Sequence, residues 1–209
     1  PQDVTEKYGV QFLVLGFSMG CCTGFGVPVA KYFGADKLDM MRNYVFNGAV
    51  LTGGIGVTVT ILCSVCCPQI LHLLSVPEDI FRGAYHYLLI IFLGIPFTLL
   101  YNYLSSILRS LGDSRTPFLF LAFSAMLNIF LDLFCIVVLK WGCAGAAAAT
   151  ITAQAISGIL CLVFIGRKMN VLHLTKENRT VNITAVKELL AMGLPTGLQF
   201  SITAIGSMV

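Results

Sequence analysis

The chain has 209 residues, of which 57% are hydrophobic and 11% charged. Soluble domains carry about 25% charged residues, so this composition excludes a water-covered globule and makes a bilayer the solvent for much of the chain. The formal charge of +3 is too small for a nucleic-acid footprint, and no nucleic-acid partner is expected.

Five runs lack Asp, Glu, Lys and Arg altogether: residues 8–30, 43–77, 83–108, 141–166 and 189–209. A sixth, residues 116–139, contains one charge, Asp132. About 20 apolar residues cross the hydrocarbon core, so each run is long enough, and the second is expected to continue past its helix into a loop. Unpaired backbone groups are too costly in lipid, and runs of this length without strict alternation are helices rather than strands. The fold class predicted is an all-α, polytopic helical membrane bundle.

In chain order, the first run carries Gly16, Gly20 and Gly24 at intervals of four, then Pro28. These four fall on one face, where small residues let a neighbouring helix approach. The reading is either static packing or helices that slide and bend. Pro96 lies inside the third run and is expected to bend it. Gly112 is suited to end that helix, and Thr116-Pro117 to supply the N-cap and first residue of the next. The fifth run repeats the small-residue pattern in Gly145, Ala149 and Ala153, with Thr150 and Thr152 nearby.

Basic residues orient the bundle through the positive-inside rule. Lys31, Lys37, Arg42, Arg109, Arg115, Arg167, Lys168, Lys176, Arg179 and Lys187 fall on one side, and Lys7, Arg82 and Lys140 on the other. Ten against three makes the loops 31–43, 109–116 and 167–188 cytoplasmic. The chain then starts outside the cell, without a signal peptide, and reads as a piece truncated at both ends. The sequons at Asn178 and Asn182 fall on the cytoplasmic side and are taken as chance. The segment after residue 169 reads as a linker, its end from about Asn182 to Leu190 suited to the membrane surface.

The cysteines lie mostly within the apolar runs, Cys63-x-x-Cys66 has no second pair, and His72, His86 and His173 are scattered. Small packing residues are the favoured reading, and no metal site is expected. A phosphate-binding glycine loop with Lys, a Ser/His/Asp set and HExxH are all missing, so the chain is not expected to be an enzyme or to carry its own ATP motor.

Asp132 lies eight residues before Lys140, about 12 Å from the outer end of a helix. A carboxylate there costs about 2.5–3.5 kcal/mol on insertion scales. It is tolerated in a water-filled cavity, beside polar neighbours, or protonated. Asn128 is one helical turn earlier and shares its face. Two readings stand: a polar residue that holds the bundle together, or a functional acid for a proton, a metal cation or a cationic organic substrate. Asn102 and Thr150 are weaker candidates of the same kind.

Several segments together resemble the multidrug and toxin extrusion (MATE) family. They are Gly34-Ala35-Asp36, the loop Leu108-Arg109-Ser110-Leu111-Gly112-Asp113-Ser114-Arg115-Thr116-Pro117, Asn128-Ile129-Phe130-Leu131-Asp132, the stretch from Gly145 to Thr150, and Gly193-Leu194-Pro195. The resemblance implies a twelve-span antiporter of two six-span lobes. This chain would hold five complete transmembrane helices, family spans two to six, within residues 1–169. A cytoplasmic inter-lobe linker would follow at 170–186, and the start of the seventh span at 187–209. It implies export of cationic or amphipathic drugs in exchange for H⁺ or Na⁺, with no cofactor beyond that coupling ion. Asp132 and Asn128 would form the ion site, with Thr150 and Asn102 at similar positions, and Arg109, Gly112, Asp113 and Pro117 would form a cytoplasmic loop motif. The implied setting is multi-pass in the plasma membrane, the full-length protein acting as a monomer on small organic cations. The alternative is a flippase for a lipid-linked oligosaccharide, which would need a basic cavity.

Overall fold

The computed structural model describes residues 2–73, 78–173 and 178–206. Pro1, Pro77, Lys176 and residues 207–209 lie outside the described residues. Six long helices account for the fold: α1 (Gln2–Gly34), α2 (Leu38–Leu73), α3 (Glu78–Ser110), α4 (Arg115–Leu133), α5 (Gly142–Lys168) and α6 (Ile183–Gly206). A π-helical turn, Phe134–Val138, extends α4, and a 3₁₀ turn, Asn170–Leu172, follows α5. Among the described residues, α2, α3, α4 with its π turn, and α5 each contain a stretch long and apolar enough to cross a membrane.

Side-chain pairs fix the helix directions. Gly20 and Gly24 of α1 meet Gly197 and Gly193 of α6, so these helices are antiparallel. Cys22 and Gly26 meet Leu99 and Ser106 of α3, so α1 and α3 are parallel. Tyr103 donates to the Val45 carbonyl at 2.6 Å, and Gly56 faces Pro96, so α2 and α3 are antiparallel. Gly94 and Leu100 of α3 meet Ile151 and Gly158 of α5 in parallel. Asn128 reaches Thr150, and Phe120 meets the ring of Phe164, so α4 and α5 are antiparallel. The strict alternation expected from the charge distribution is what these registers give. They gather the connections 31–43, 109–116 and 167–188 at one end, called the basic end below.

The core lies where α1, α2 and α3 meet, around Phe25, Val29, Met41, Ile95, Ile107 and Leu108. In α3, 44% of the apolar stretch is buried, against 11% in α4. Helix α3 is therefore the axis of the bundle, and α4 presents Phe118, Leu119, Met126, Ile129 and Phe130 outward. Apolar side chains so exposed need lipid or further protein against them.

The helix ends correct one expectation and support another. Gly112 adopts φ +86°, its N–H bonds the Arg109 carbonyl at 3.0 Å, and the Asp113 N–H bonds that of Leu108 at 3.0 Å. That pair of bonds is a Schellman end, which favours glycine, as the sequence predicts. Thr116 does not cap α4. The helix begins at Arg115, and the Asp113 carboxylate accepts the Thr116 N–H at 3.0 Å. A charged oxygen one turn earlier outcompetes the Thr116 hydroxyl for the free N–H groups. Pro117 therefore lies within the first turn, and its carbonyl accepts the Tyr101 hydroxyl at 2.9 Å.

The segment before α6 also differs from expectation. Helix α6 starts at Ile183 and runs unbroken to Gly206, with no separate surface helix over Asn182–Leu190. Ala185 and Leu189 are fully buried, which draws this part of the chain into the bundle. The preceding residues are strapped to α2. Asn43 donates to the carbonyls of Asn178 and Thr180 at 3.2 and 3.0 Å, and Asn47 donates to that of Thr180 at 3.1 Å. The Asn182 N–H returns to Asn47 Oδ1 at 3.0 Å, and Arg42 holds the Val171 carbonyl at 2.9 Å. Asn182 in turn accepts the Thr184 N–H at 2.9 Å, the side-chain cap of α6.

Candidate functional site

Helices α4 and α5 hold a polar stripe in an apolar wall whose outer face is exposed. The Asn128 amide donates to Thr150 Oγ1 at 3.2 Å, and the Thr150 hydroxyl donates to the Ala146 carbonyl one turn back at 3.0 Å. Antiparallel register places Asp132 one turn beyond this pair, level with Ala146. Asp132 Oδ1 is buried and has no hydrogen-bond partner among the described residues. One turn along α5 from Thr150, Gln154 Oε1 is in the same state. A buried acceptor without a donor costs about 1–3 kcal/mol, and more when charged. The two oxygens lie on opposite sides of the Asn128–Thr150 pair, so Asp132 with that pair, and not with Gln154, is the group that could take a proton or a hard cation. Gln154 escapes the sequence reading, although its spacing of four from Thr150 is the available signal.

The helix carrying Asp132 is irregular next to it. The turn Phe134–Val138 is π-helical, with the Leu139 N–H bonded to the Phe134 carbonyl at 3.1 Å. Such turns occur frequently at functional sites. Its neighbour is the first turn of α5, where a Cβ on Gly145 would stand 3.1 Å from that of Cys135. The small residues Gly145, Ala149 and Ala153 are buried as expected, and they bring α5 close to its neighbours.

Asn102 is not in this group. Its amide donates to the Thr98 carbonyl in its own helix at 2.8 Å. It lines a separate cavity of about 310 Å³ with Met19, Thr23, Arg109 and Phe200, between α1, α3 and α6. That volume is at the lower end for small-molecule sites. Thr23 donates to the Met19 carbonyl at 2.9 Å. The backbone of Arg109 is held by the Schellman end, and its side chain makes no hydrogen bond or ion pair among the described residues. The cavity thus offers one guanidinium, an amide, a sulfur and an aromatic ring.

Of the glycines on α1, Gly20 and Gly24 pack backbone to backbone against α6. A Cβ on either would stand 2.6 Å from a glycine Cα there. Pro28 is fully buried one turn further, and Gly16 lies one turn before them in the same helix. Pro96 stays within an unbroken α3 and faces Gly56 of α2. At the basic end, the Thr116 side chain and N–H hold the Asp113 carboxyl below its usual range.

A helical bundle that crosses the membrane several times, with a polar stripe and a cavity between its helices, has the build of a membrane transporter. Residues 8–134 match the MatE family model. The chain belongs to this MATE family, whose members are transporters and not enzymes. It is 32% identical over 195 residues to "Probable multidrug resistance protein YpnP" of Bacillus subtilis, covering 93% of this chain and 43% of that protein. It is 23% identical to "Multidrug export protein MepA" of Staphylococcus saprophyticus, covering 89% of this chain and 41% of that protein. Two solved structures share the fold at TM-score 0.89 and 22% identity: an inward-facing and an outward-facing MATE family transporter. They cover 97% and 99% of this chain, and this chain spans 46% of each. The chain thus spans somewhat under half the length of the relatives it matches.

Proposed function

We propose that the chain is the ion-coupled part of an exporter of drug-like molecules, driven by exchange for H⁺ or Na⁺. The observation that carries this reading is the buried Asp132 oxygen without a partner, beside the Asn128–Thr150 pair. Ion binding or protonation at Asp132 neutralises the carboxylate and changes what the stripe tolerates around it. The packing of α4 on α5 is then biased between two states, and an ion gradient becomes work. The coupling group includes Asp132, Asn128 and Thr150, with Gln154 one turn beyond on the other side, while Asn102 belongs to the cavity. Relatives named for multidrug resistance and multidrug export support drug-like cargo, here cationic or amphipathic molecules. On this reading the full-length protein works as a monomer in the plasma membrane, with the basic end in the cytoplasm.

The test is a full-length Asp132→Asn variant, assayed for ethidium efflux and for its amount in the membrane. Loss of efflux at unchanged membrane level is expected. Unimpaired efflux would sink the reading. A flippase for a lipid-linked oligosaccharide is the second reading, favoured by Arg109 at the cavity. It predicts that Arg109→Ala abolishes function while Asp132→Asn leaves it intact.

A further inference from the structure

A hydroxyl inside a membrane helix is satisfied most simply by the carbonyl one turn back. Thr98, Ser110, Thr152, Thr196 and Thr203 all donate in this way. Ser157 of α5 does not. It is fully buried, and its hydroxyl has no partner among the described residues. It shares this state with Gln154 Oε1 on the turn before it and with Asp132 Oδ1 on α4. Orphaned hydroxyls at Thr52, Thr60, Ser64 and Ser201 lie on other helices.

The helix registers bring the first group into line. Thr150, Gln154 and Ser157 are spaced four and three apart, so they share one face of α5. Asn128 meets Thr150 in antiparallel register, which sets the buried Ser124 of α4 level with Gln154. Leu100 of α3 meets Gly158, which brings Tyr101 close to the level of Ser157. Tyr101 is buried, its hydroxyl donates to the Pro117 carbonyl at 2.9 Å, and the Ser105 hydroxyl stands beside it. Pro117 lies in the first turn of α4, at the basic end. A polar column thus follows the junction of α3, α4 and α5 from Asp132 to the basic end, about 22 Å along α4. Its steps on α5 are three or four residues, about 4.5–6 Å of rise. One water spans such a gap with two hydrogen bonds of about 2.8 Å. A buried water needs two to four polar partners, and the orphaned oxygens supply them.

We propose that this column is the release route of the coupling proton, a file of waters and hydroxyls from Asp132 to the basic end, with Ser157 as its fully enclosed step. This rests on the exporter reading above. The Asp132 carboxyl gives its proton to the first water and becomes a carboxylate. Each oxygen then passes one proton on, and one proton leaves at the basic end. The experiment uses the full-length protein in proteoliposomes. Ser157→Val removes the hydroxyl, and Ser157→Thr has the same shape and keeps it. Ethidium efflux driven by a pH gradient is expected to slow about tenfold in the first and to recover in the second. Ethidium–ethidium exchange needs no proton release and is expected to be unchanged in both. Unchanged efflux in Ser157→Val would overturn the route. So would equal slowing in the two variants, or loss of exchange together with efflux, because Ser157 would then serve packing alone. Efflux driven by sodium and indifferent to pH would overturn it too. Radiolytic hydroxyl-radical labelling reads the water directly in the unmodified protein. Tyr101 and Tyr103 are only 5% and 2% exposed, and Tyr103 lies in the apolar core. Tyr101 is expected to oxidise and Tyr103 to stay protected; equal protection would overturn the inference. Failure of the unmodified protein to export ethidium counts against the exporter reading instead, and the labelling of Tyr101 still decides whether the column holds water.

Discussion

Gly24 lies so close to Gly193 that a Cβ on Gly24 would stand 2.6 Å from the Gly193 Cα. Gly24→Ala must therefore push α6 away from α1, an overpacking that costs about 1–3 kcal/mol. Gly54 of α2 is the control, because nothing lies within 4 Å of a Cβ placed there. Gly54→Ala is expected to stabilise its helix by about 0.5–1 kcal/mol. Thermal unfolding of the two variants in detergent should move in opposite directions.

Asn128 and Thr150 form the cross-helix bond of the polar stripe. Asn128→Ala and Thr150→Val are expected to be non-additive, with a coupling of about 0.6–1.7 kcal/mol. A double-mutant cycle on unfolding in bicelles measures it. Additive losses would mean that the two side chains do not depend on each other.

Asp113 gives a pH dependence with a definite sign. Its pKa is held below the ordinary 3.8 by the Thr116 side chain and N–H. The ionised form is thus favoured in the fold. Its stabilisation is complete above the ordinary value and is lost as pH falls through the lower, folded value. The cap is only partly buried, so the loss is at most about 1 kcal/mol. Asp113→Asn keeps an acceptor for the Thr116 N–H but does not titrate, and its acid unfolding profile should lack this step.

Asn47 is fully buried and serves both Thr180 and Asn182. Asn47→Leu leaves the Asn182 N–H unsatisfied, at about 1–3 kcal/mol, while the Thr180 carbonyl keeps the Asn43 amide. The strap should open more often, exposing the bond after Arg179 to trypsin. Each 1.4 kcal/mol is worth about tenfold in that rate. An unchanged cleavage rate would mean that the strap is held from elsewhere.

Much of the fold is legible in the sequence because lipid imposes strict rules. A charge-free run has to be a helix, and basic loops set its direction. The glycine end at Gly112 is equally local, since only the backbone conformation of one residue is involved. Contacts between distant segments are not legible. Asn43 and Asn47 look like the polar start of an apolar run, and their partners lie more than 130 residues away. The glycine spacing on α1 is visible, but its partner became clear only when Gly193 and Gly197 proved to have the same spacing. Asp132, Asn128 and Thr150 stand out because polar groups are rare in such runs. Asn102 was grouped with them on the same ground, and only the direction of α3 sends it into a different cavity.

The π turn after Asp132 has a consequence for how this helix tolerates change in length. An i→i+5 bond encloses one more residue than an i→i+4 bond, so Phe134–Val138 stores a spare residue. Loss of one residue there can be absorbed by relaxing the turn to ordinary α geometry, with Asp132 and Asn128 still aimed at α5. The same loss between Thr150's partner, Asn128, and Asp132 would rotate the acid by about 100° around its helix, out of the stripe and towards lipid. Deletions in natural variants of this helix are therefore expected to collect on the C-terminal side of Asp132 and to be missing from the turn before it.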